Sequence, residues 1–423
     1  MNPRLLNHSY LIHLKYLCLL TAVVLALGQP AHAFSVLAHE NTVDALWTSD
    51  IVPLLRQRYR GVTDAQLAQA RAYAYGGSLI QDLGYYPFGS HLFTNLTHYV
   101  RSGDFVESML RNAADVNEYA FALGALAHYE SDNTGHPLAV NRSVPLMYPK
   151  VRAKTGPVAL YVESPARHVM VEFAFDVLQV ARGGYVAQAY RDRSGFEVSK
   201  ELLERAVRDT YALDLEDLLL SVDLAIGSYR KAVSSTIPEM TRIAWRDKRD
   251  EIEQRTPGVT ESAFVYSYTP ADYDREFGTK YRKPGFLART LAFLLKVVPR
   301  IGPFRPLSFE PLTPEVEQLF LGSVEAARAR YRTALQQLRQ RTLQLPNTDF
   351  DTGQVPARGR NPLADETYAD LLHKLAGRQF ADVSADLRRH LNDYFAAAAT
   401  RTQVPRSDDD PRIRGELAAL NRR

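Results

Sequence analysis

Histidine and carboxylate residues recur four positions apart in two parts of the sequence. His128 precedes Asp132, and His168 precedes Glu172. On a helix, residues four apart lie one above the other on the same face, so each pair could hold one metal ion between an imidazole and a carboxylate. His136 follows Asp132 by four more residues. The pattern indicates metal-binding chemistry.

Further candidate ligands lie upstream of these pairs. Asp82 and His91 fall in a polar and aromatic loop, and His39 lies near the start of the mature chain predicted below. Cys18 is the only cysteine, which excludes thiolate-bound zinc, iron–sulfur clusters and a disulfide framework. A site built from imidazole and carboxylate without thiolate is most simply a zinc site.

A single histidine–acid pair is more often an exposed surface pair, worth about 0.2–0.5 kcal/mol, than a metal site. Here both pairs lie in apolar stretches, where unpaired imidazoles and carboxylates are costly to bury. We therefore favour metal binding. We expect His98 and Asp176 to orient ligands by hydrogen bonds, and His373 and His390 to be exposed helix residues.

Helices must position these side chains, because apolar residues recur at helical rather than alternating intervals along most of the chain. A capping box at Thr63–Gln66 opens a helix that ends at Gly76–Gly77, and Thr313 and Pro314 open a long helix toward Leu343. The other predicted helices are 117–131, 165–180, 202–211, 213–231, 365–375 and 384–398. The sequence predicts a mainly α fold, with a loop or linker at 347–363.

The first 33 residues have the pattern of an export signal. Arg4 and Lys15 precede the apolar run Leu17–Leu27, and the segment ending at Ala33 has small residues at the positions that a signal peptidase reads. The run is shorter than the roughly 20 residues needed to cross a bilayer. We expect cleavage before Phe34 and a secreted or periplasmic protein.

The rest of the chain divides by composition. We predict a signal peptide (1–33), a helical catalytic domain (34–245), a helical C-terminal extension (246–399) and a disordered tail (400–423). Within the extension, residues 280–305 contain seven basic residues and no acid around an apolar centre. This segment could lie in a lipid interface, or it could be a core helix of the extension with solvated basic ends.

Overall charge restricts the class of partner. The chain has 51 basic and 48 acidic residues, for a net charge of +3, which is too balanced for a nucleic-acid coat or a polybasic tail. A hydrophobic content of 46% is that of an ordinary globular protein. We expect no specific nucleic-acid partner, and the oligomeric state stays open.

The order of the candidate ligands resembles the zinc-dependent phospholipase C family, whose superfamily also holds single-strand nucleases and glycosylphosphatidylinositol-specific phospholipase D. The resemblance runs from Phe34 to about Glu172. It rests on Phe34-Ser-Val-Leu-Ala-His39, Asp82, His91, His128-x-x-x-Asp132, His136 and His168-x-x-x-Glu172. The short step from Asp132 to His136 and the string Thr97-His98-Tyr99 are similar to the phospholipase D branch.

The resemblance implies an all-helical zinc phospholipase C-like domain with a helical C-terminal extension and three zinc ions. Asp132 would bridge two of the ions. The implied ligand sets are the amino group and carbonyl of Phe34 with His39 and Asp132; Asp82, His91, His128 and Asp132; and His136, His168 and Glu172.

The implied activity is hydrolysis of a phospholipid headgroup ester by a metal-bridging hydroxide, giving diacylglycerol and a phosphorylated headgroup. Three cations would offset the negative charge of the phosphodiester, which otherwise repels hydroxide. Asp82 and Glu172 are the candidate general bases.

Two alternative functions remain open at this point. A single-strand nuclease would use the same zinc site and would stack bases on nearby aromatic rings. The sequence supplies Tyr85, Tyr86, Phe88 and Phe93, without a matching run of basic residues. A non-catalytic protein whose helices are stabilised by zinc would leave no ligand position open for water.

Overall fold

The computed structural model describes residues 36–86, 88–182, 196–255, 257–265, 312–396 and 411–422. No strand forms among these residues; Asp349 and Gln354 make an isolated antiparallel bridge. The predicted mainly α fold is therefore confirmed. The predicted signal peptide, Phe34 and the basic segment 280–305 lie outside the described residues.

The described residues form seventeen α-helices. In chain order they are α1 (Val36–Leu46), α2 (Val52–Arg58), α3 (Asp64–Gly77), α4 (His91–Tyr99), α5 (Ser102–Asn112), α6 (Val116–Gly135), α7 (Asn141–Met147), α8 (Pro149–Thr155), α9 (Pro165–Ala181), α10 (Lys200–Tyr211), α11 (Leu215–Leu218), α12 (Val222–Arg255), α13 (Glu261–Phe264), α14 (Pro314–Gln340), α15 (Pro362–Gly377), α16 (Ala385–Ala396) and α17 (Pro411–Leu420). Short 3-10 helices occupy Ile80–Tyr85 and Tyr161–Glu163, and π-helical turns occupy Trp47–Ile51 and His136–Val140.

Capping side chains set where several of these helices begin. The Thr63 hydroxyl accepts a hydrogen bond from Gln66 N, and the Gln66 side chain accepts one from Thr63 N, as the capping box predicted. The Asp115 carboxylate accepts bonds from the backbone amides of Asn117 and Glu118 and so begins α6. The helix predicted at 213–231 is instead two, because α11 ends at Leu218.

Two glycines bring α3 and α6 into close contact. A Cβ atom at Gly77 would overlap the carbonyl oxygen of Phe121, and one at Gly124 would overlap that of Ala74. Only glycine therefore lets the two helices approach this closely. The residue after Gly77 is Ser78, whose carbonyl oxygen lies 2.9 Å from Nδ1 of His128 on α6. The helix contact thus places a partner beside a candidate ligand.

The C-terminal helices share a hydrophobic core with the N-terminal ones. Tyr331 of α14 is fully buried and donates a hydrogen bond to Leu123 O at 2.9 Å, and Tyr129 donates one to Pro346 O at 2.7 Å. The buried ring of Phe350 packs against Tyr129 with a centroid distance of 5.4 Å. The boundary predicted at residue 245 stays a prediction, but side chains from both sides of it contact one another.

Part of the tail that we expected to be disordered is ordered. The described residues Pro411–Leu420 form α17, on which Ile413 and Leu420 are buried. The amides of Asn392 and Asn421 hydrogen bond to each other at 2.8 and 2.9 Å, which ties α17 to α16. Apolar side chains spaced along an otherwise polar segment stabilise this helix, whereas composition alone predicted disorder. None of the helices described is both long and apolar enough to cross a bilayer.

Candidate metal centre

Several elements converge on a cluster of buried histidines and acids. Each of these side chains is at most 6% exposed. They are His39 of α1, Asp82 of the turn Ile80–Tyr85, His98 of α4, His128 and Asp132 of α6, His136 directly after α6, His168 and Glu172 of α9, and Asp351 of the loop before α15.

The tightest group surrounds the carboxylate of Asp132. Its Oδ2 lies 3.1 Å from His128 Nε2 and 3.4 Å from His98 Nε2. His98 Nε2 is also 3.3 Å from Asp82 Oδ1 and 3.5 Å from His128 Nε2, while His128 Nε2 is 3.9 Å from Asp82 Oδ1. Zinc with four tetrahedral ligands at about 2.0–2.2 Å would hold its ligand atoms about 3.3–3.6 Å apart. These four side chains therefore have the spacing of one zinc site.

The second oxygen of Asp132 faces a different histidine. Its Oδ1 lies 3.4 Å from His39 Nε2, and the His39 ring stacks on the His128 ring with a centroid distance of 4.2 Å. Burial lowers the pKa of His39 to about 3, so its imidazole is neutral at neutral pH. Burial alone would raise the pKa of Asp132, but His128 and His39 hold it well below its ordinary value. An ionised Asp132 can therefore present one oxygen to each of two cations.

Backbone carbonyls orient three of the imidazoles. Nδ1 of His128 donates to Ser78 O at 2.9 Å, and Nδ1 of His98 donates to Thr94 O at 2.9 Å. Nδ1 of His168 donates to Ser164 O at 3.1 Å. In a neutral imidazole each of these bonds leaves the lone pair on Nε2, which is the usual arrangement of metal-binding histidines.

His136, His168 and Glu172 form the other end of the cluster. Burial lowers the pKa of His168 to about 4, so its imidazole is neutral and has one N–H, which Ser164 O accepts. Its Nε2 nevertheless lies 3.1 Å from the amide oxygen Oδ1 of Asn141. Two acceptor atoms face each other there, and a shared cation would satisfy both.

Asp351 joins this end of the cluster from the loop before α15. Its Oδ1 lies 3.6 Å from His136 Nδ1, and its Oδ2 accepts a hydrogen bond from Tyr161 N at 2.8 Å. Burial alone would lower the pKa of His136, but the nearby carboxylates of Asp351, Asp132 and Glu172 raise it to about 10. The carboxylates around His136 therefore favour a positive charge at this position.

The buried carboxylates of the cluster repel one another, and a bound cation would offset that repulsion. Both oxygens of Asp132 and both of Glu172 are buried and accept no hydrogen bond from any described residue, and neither does Asp82 Oδ1. Burial raises the pKa of Glu172 well above its ordinary value. Leaving such groups without a partner costs several kcal/mol each, on the order of a buried unpaired ion. Bound zinc would remove that cost.

The structure does not bring His91 into this cluster. His91 is the first residue of α4 and its side chain is exposed, with the Tyr85 ring 6.0 Å away. His98, which we expected only to orient ligands, occupies the place beside Asp82 and Asp132. The correction follows from helix geometry, because seven residues separate the two histidines by about 10 Å along α4.

The sequence also predicts roles at the metal site for Asp176 and Phe34. Asp176 Oδ1 accepts a hydrogen bond from Leu37 N at 3.0 Å, and so holds the start of α1. Phe34 lies outside the described residues. His373 is exposed as expected, whereas His390 is half-buried and lies 2.7 Å from the hydroxyl of Tyr368.

Asn141 and Asp351 are the site residues that the sequence did not indicate. Asn141 follows His136 by five residues in a stretch predicted to be past the helix end, and Asp351 lies far along the chain from the other acids. The one available signal for Asp351 was the apolar Phe350 between two acids, which is a sign that this part of an otherwise polar loop contacts the core.

A comparison with known protein families matches the model described as zinc-dependent phospholipase C to residues 39–218. Over these residues the chain is similar to the zinc-dependent phospholipase C family, which supports the resemblance seen in the sequence. The matched range contains His39, Asp82, His98, Asp132 and Glu172, and the rest of the cluster except Asp351. No curated protein and no solved structure matches the chain significantly.

The family match indicates the chemistry of the cluster. The zinc-dependent phospholipase C family implies a phosphodiester hydrolase, which is the enzyme class of the matched region. The buried group of His98, His128 and Asp132 is a candidate ligand group for such an ion. Phospholipid is the substrate class that the zinc-dependent phospholipase C family implies.

Proposed function

We propose that this protein is an exported phospholipase C that cleaves the glycerol side of a phospholipid headgroup ester at three zinc ions. The products are diacylglycerol and a phosphorylated headgroup. The observation that carries the proposal is the Asp132 carboxylate, whose two oxygens face different imidazoles at 3.4 Å or less. A carboxylate with this environment is suited to bridge two cations.

The proposed ligand sets follow the distances. Asp82, His98, His128 and Asp132 would hold one ion. His39 and Asp132, with the amino group and carbonyl of Phe34, would hold a second. His136, His168 and Glu172 would hold the third. His98 replaces His91 of the sequence-based set, because only His98 lies within 3.5 Å of the other members of its group.

Bound zinc supplies a Lewis acid for the phosphoryl oxygens and lowers the pKa of water to about 7. The protein side chains would hold the ions in place and accept the proton of the attacking water. Asp132 would hold one ion with each of its two carboxylate oxygens. Glu172 is the first candidate for general base, because both oxygens of its buried carboxylate accept no hydrogen bond from the described residues, so one could bind the ion while the other takes a proton from water. Asp82 is the second candidate.

The aromatic residues disfavour the nuclease alternative. Phe93 is fully buried and Tyr86 is 5% exposed, and both belong to the hydrophobic core. Neither can stack on a base without leaving that core. Tyr85 borders the metal cluster, with its ring 6.2 Å from that of His98, and Tyr161 borders it as well, with its ring 5.8 Å from that of His168. Two of the four rings that the sequence offered for base stacking are therefore unsuited to it.

In this proposal, removal of the export signal creates one of the zinc ligands, the amino group of Phe34. Removal of residues 1–33 would free the amino group of Phe34, three residues before Leu37, whose backbone amide is held by Asp176. An internal Phe34 would have an amide nitrogen without a usable lone pair. We therefore expect a variant that keeps one extra residue before Phe34 to lose one zinc and most of its activity, with its helical circular dichroism unchanged. Equal zinc and activity in both forms would contradict this part.

The function is tested with the zinc-loaded mature protein, and elemental analysis comes first. We expect close to three zinc ions per chain and release of a phosphorylated headgroup from phosphatidylcholine vesicles, with no cleavage of single-stranded DNA. Asp132→Asn, which keeps the shape but removes the charge, should lose activity and more than one ion. A reproducible content of one zinc would contradict the trinuclear site, and DNA cleavage without lipid cleavage would favour the nuclease.

The possible lipid contact of residues 280–305 has a test of its own. Arg289 and Lys296 are two of the basic residues of this segment. Loss of vesicle binding on replacing both by Gln would support a lipid contact by residues 280–305.

A further inference from the structure

Asp351 is fixed in place by residues of the zinc-dependent phospholipase C region. Its Oδ2 accepts a hydrogen bond from Tyr161 N at 2.8 Å, and its backbone oxygen accepts one from Asn141 Nδ2 at 2.7 Å. Two residues later, Gly353 adopts φ +67°, and a Cβ atom there would contact Asn133 O at 2.6 Å. The loop is therefore seated against the end of α6, and the Asp351 side chain is only 6% exposed.

The remaining oxygen of Asp351 points at a ring nitrogen. Oδ1 accepts no hydrogen bond from any described residue, and it lies 3.6 Å from His136 Nδ1. A shift of about 0.6 Å would bring the two atoms to hydrogen-bond distance. In His98, His128 and His168 the corresponding Nδ1 donates to a backbone carbonyl. At His136 the oxygen facing Nδ1 is that of a carboxylate.

The two nitrogens of His136 face in different directions. Nε2 lies 3.9 Å from Asp132 Oδ2, on the side of the cluster where the other imidazoles present Nε2. Nδ1 faces Asp351, outside the matched range 39–218. We infer that Asp351 is a positioning residue of the metal site, which holds His136 through Nδ1 so that Nε2 binds a cation.

A carboxylate at Nδ1 has a stronger effect than a carbonyl. It stabilises the partial positive charge that develops on an imidazole when its other nitrogen binds a metal ion, and it makes that nitrogen a stronger donor. Because Asp351 comes from the C-terminal part of the chain, the loop before α15 supplies part of the metal site itself. This inference rests on the proposed zinc site.

The test compares two acids of the same loop in the full mature chain. Asp351→Asn removes the charge that faces His136. Asp349→Asn is the matched control, because Asp349 is also buried, but its oxygens accept bonds from Thr352 N at 3.0 Å and Asn361 Nδ2 at 2.8 Å. Zinc affinity is measured by competition with a chelator, and the absorption spectrum of the cobalt-substituted protein reports the ligand geometry.

We expect Asp351→Asn to weaken the most labile zinc by about 10–100-fold and to change the cobalt spectrum, as removal of such partners usually does. Asp349→Asn should keep wild-type zinc affinity and spectrum, even where it lowers the melting temperature. Equal affinity and an unchanged spectrum in Asp351→Asn would overturn the inference, as would an equal loss in both variants. A wild-type chain without bound zinc would overturn the proposed function as well.

Discussion

His91 and His98 lie on the same helix, and only one of them can reach Asp132. His98 Nε2 lies 3.4 Å from Asp132 Oδ2, while His91 is exposed at the first turn. We expect His98→Ala to lose one zinc and at least about 100-fold in kcat/KM, because a ligand to the ion is removed. His91→Ala should keep its zinc and stay within a few-fold of wild type. Metal analysis and vesicle hydrolysis, measured in parallel for both variants, distinguish the two histidines. A greater loss of zinc and activity in His91→Ala than in His98→Ala would restore His91 as the ligand.

The pairs on α6 and α9 could be predicted because a four-residue step on a helix is a local property. His128 and Asp132 therefore share a face wherever the helix lies. The choice between His91 and His98 could not be made in this way, because it depends on how far α4 extends from Asp82. Asp351 is still harder to predict, since its contact with His136 spans more than 200 residues and has no local periodicity.

At the scale of elements, the contact between α3 and α6 determines where His128 sits. We expect Gly124→Ala to destabilise the protein by about 1–3 kcal/mol or more, because the added methyl would overlap Ala74 O and push the helices apart. Gly322→Ala on α14 is the control: no atom lies within 4 Å of its Cβ position, so it should stabilise by about 0.5–1 kcal/mol. Urea unfolding of both variants measures the difference. Similar stabilities would mean that α3 can move away without cost.

The contact between α15 and α16 should depend on pH through His390. Burial lowers the pKa of His390 below its ordinary value. Its contribution to stability is therefore fully present above the unfolded-state pKa of about 6.5, and it is lost as the pH falls through and below that value. We expect wild type to lose more unfolding free energy between pH 7.5 and 5.5 than His390→Gln. An identical loss in both would show that His390 does not titrate in this range.

The helices themselves could largely be predicted, because their start signals are local. Thr63 and Asp115 begin α3 and α6 through their own side chains, and Thr313 begins α14. The loop at 347–363 was predicted to be a connection, and it is one. Its role as a wall of the site could not be predicted, because that role comes from Phe350 packing on the His98 ring at 5.0 Å.

At the scale of the whole molecule, the C-terminal helices complete the core of the family domain. A chain that ends at residue 265 would lose the buried Tyr331 and Phe350 and expose the apolar side chains that they cover. We expect it to lack a cooperative thermal transition and to bind zinc poorly. A chain that ends at residue 396 keeps the loop around Asp351 and should bind zinc as the full chain does. Wild-type melting and zinc content in the shorter chain would show that residues 34–265 fold alone.

The distance along the chain between His39 and Asp351 also has a consequence for biosynthesis. Ribosomes add about 5–20 residues per second, so about 15–60 s separate the synthesis of these two residues. During that interval the nascent helices carry imidazoles and carboxylates whose orienting partner has not been made. If Asp351 orients His136 as we infer, we expect stable zinc loading only after the loop before α15 has been made, and until then the incomplete site could bind other divalent ions.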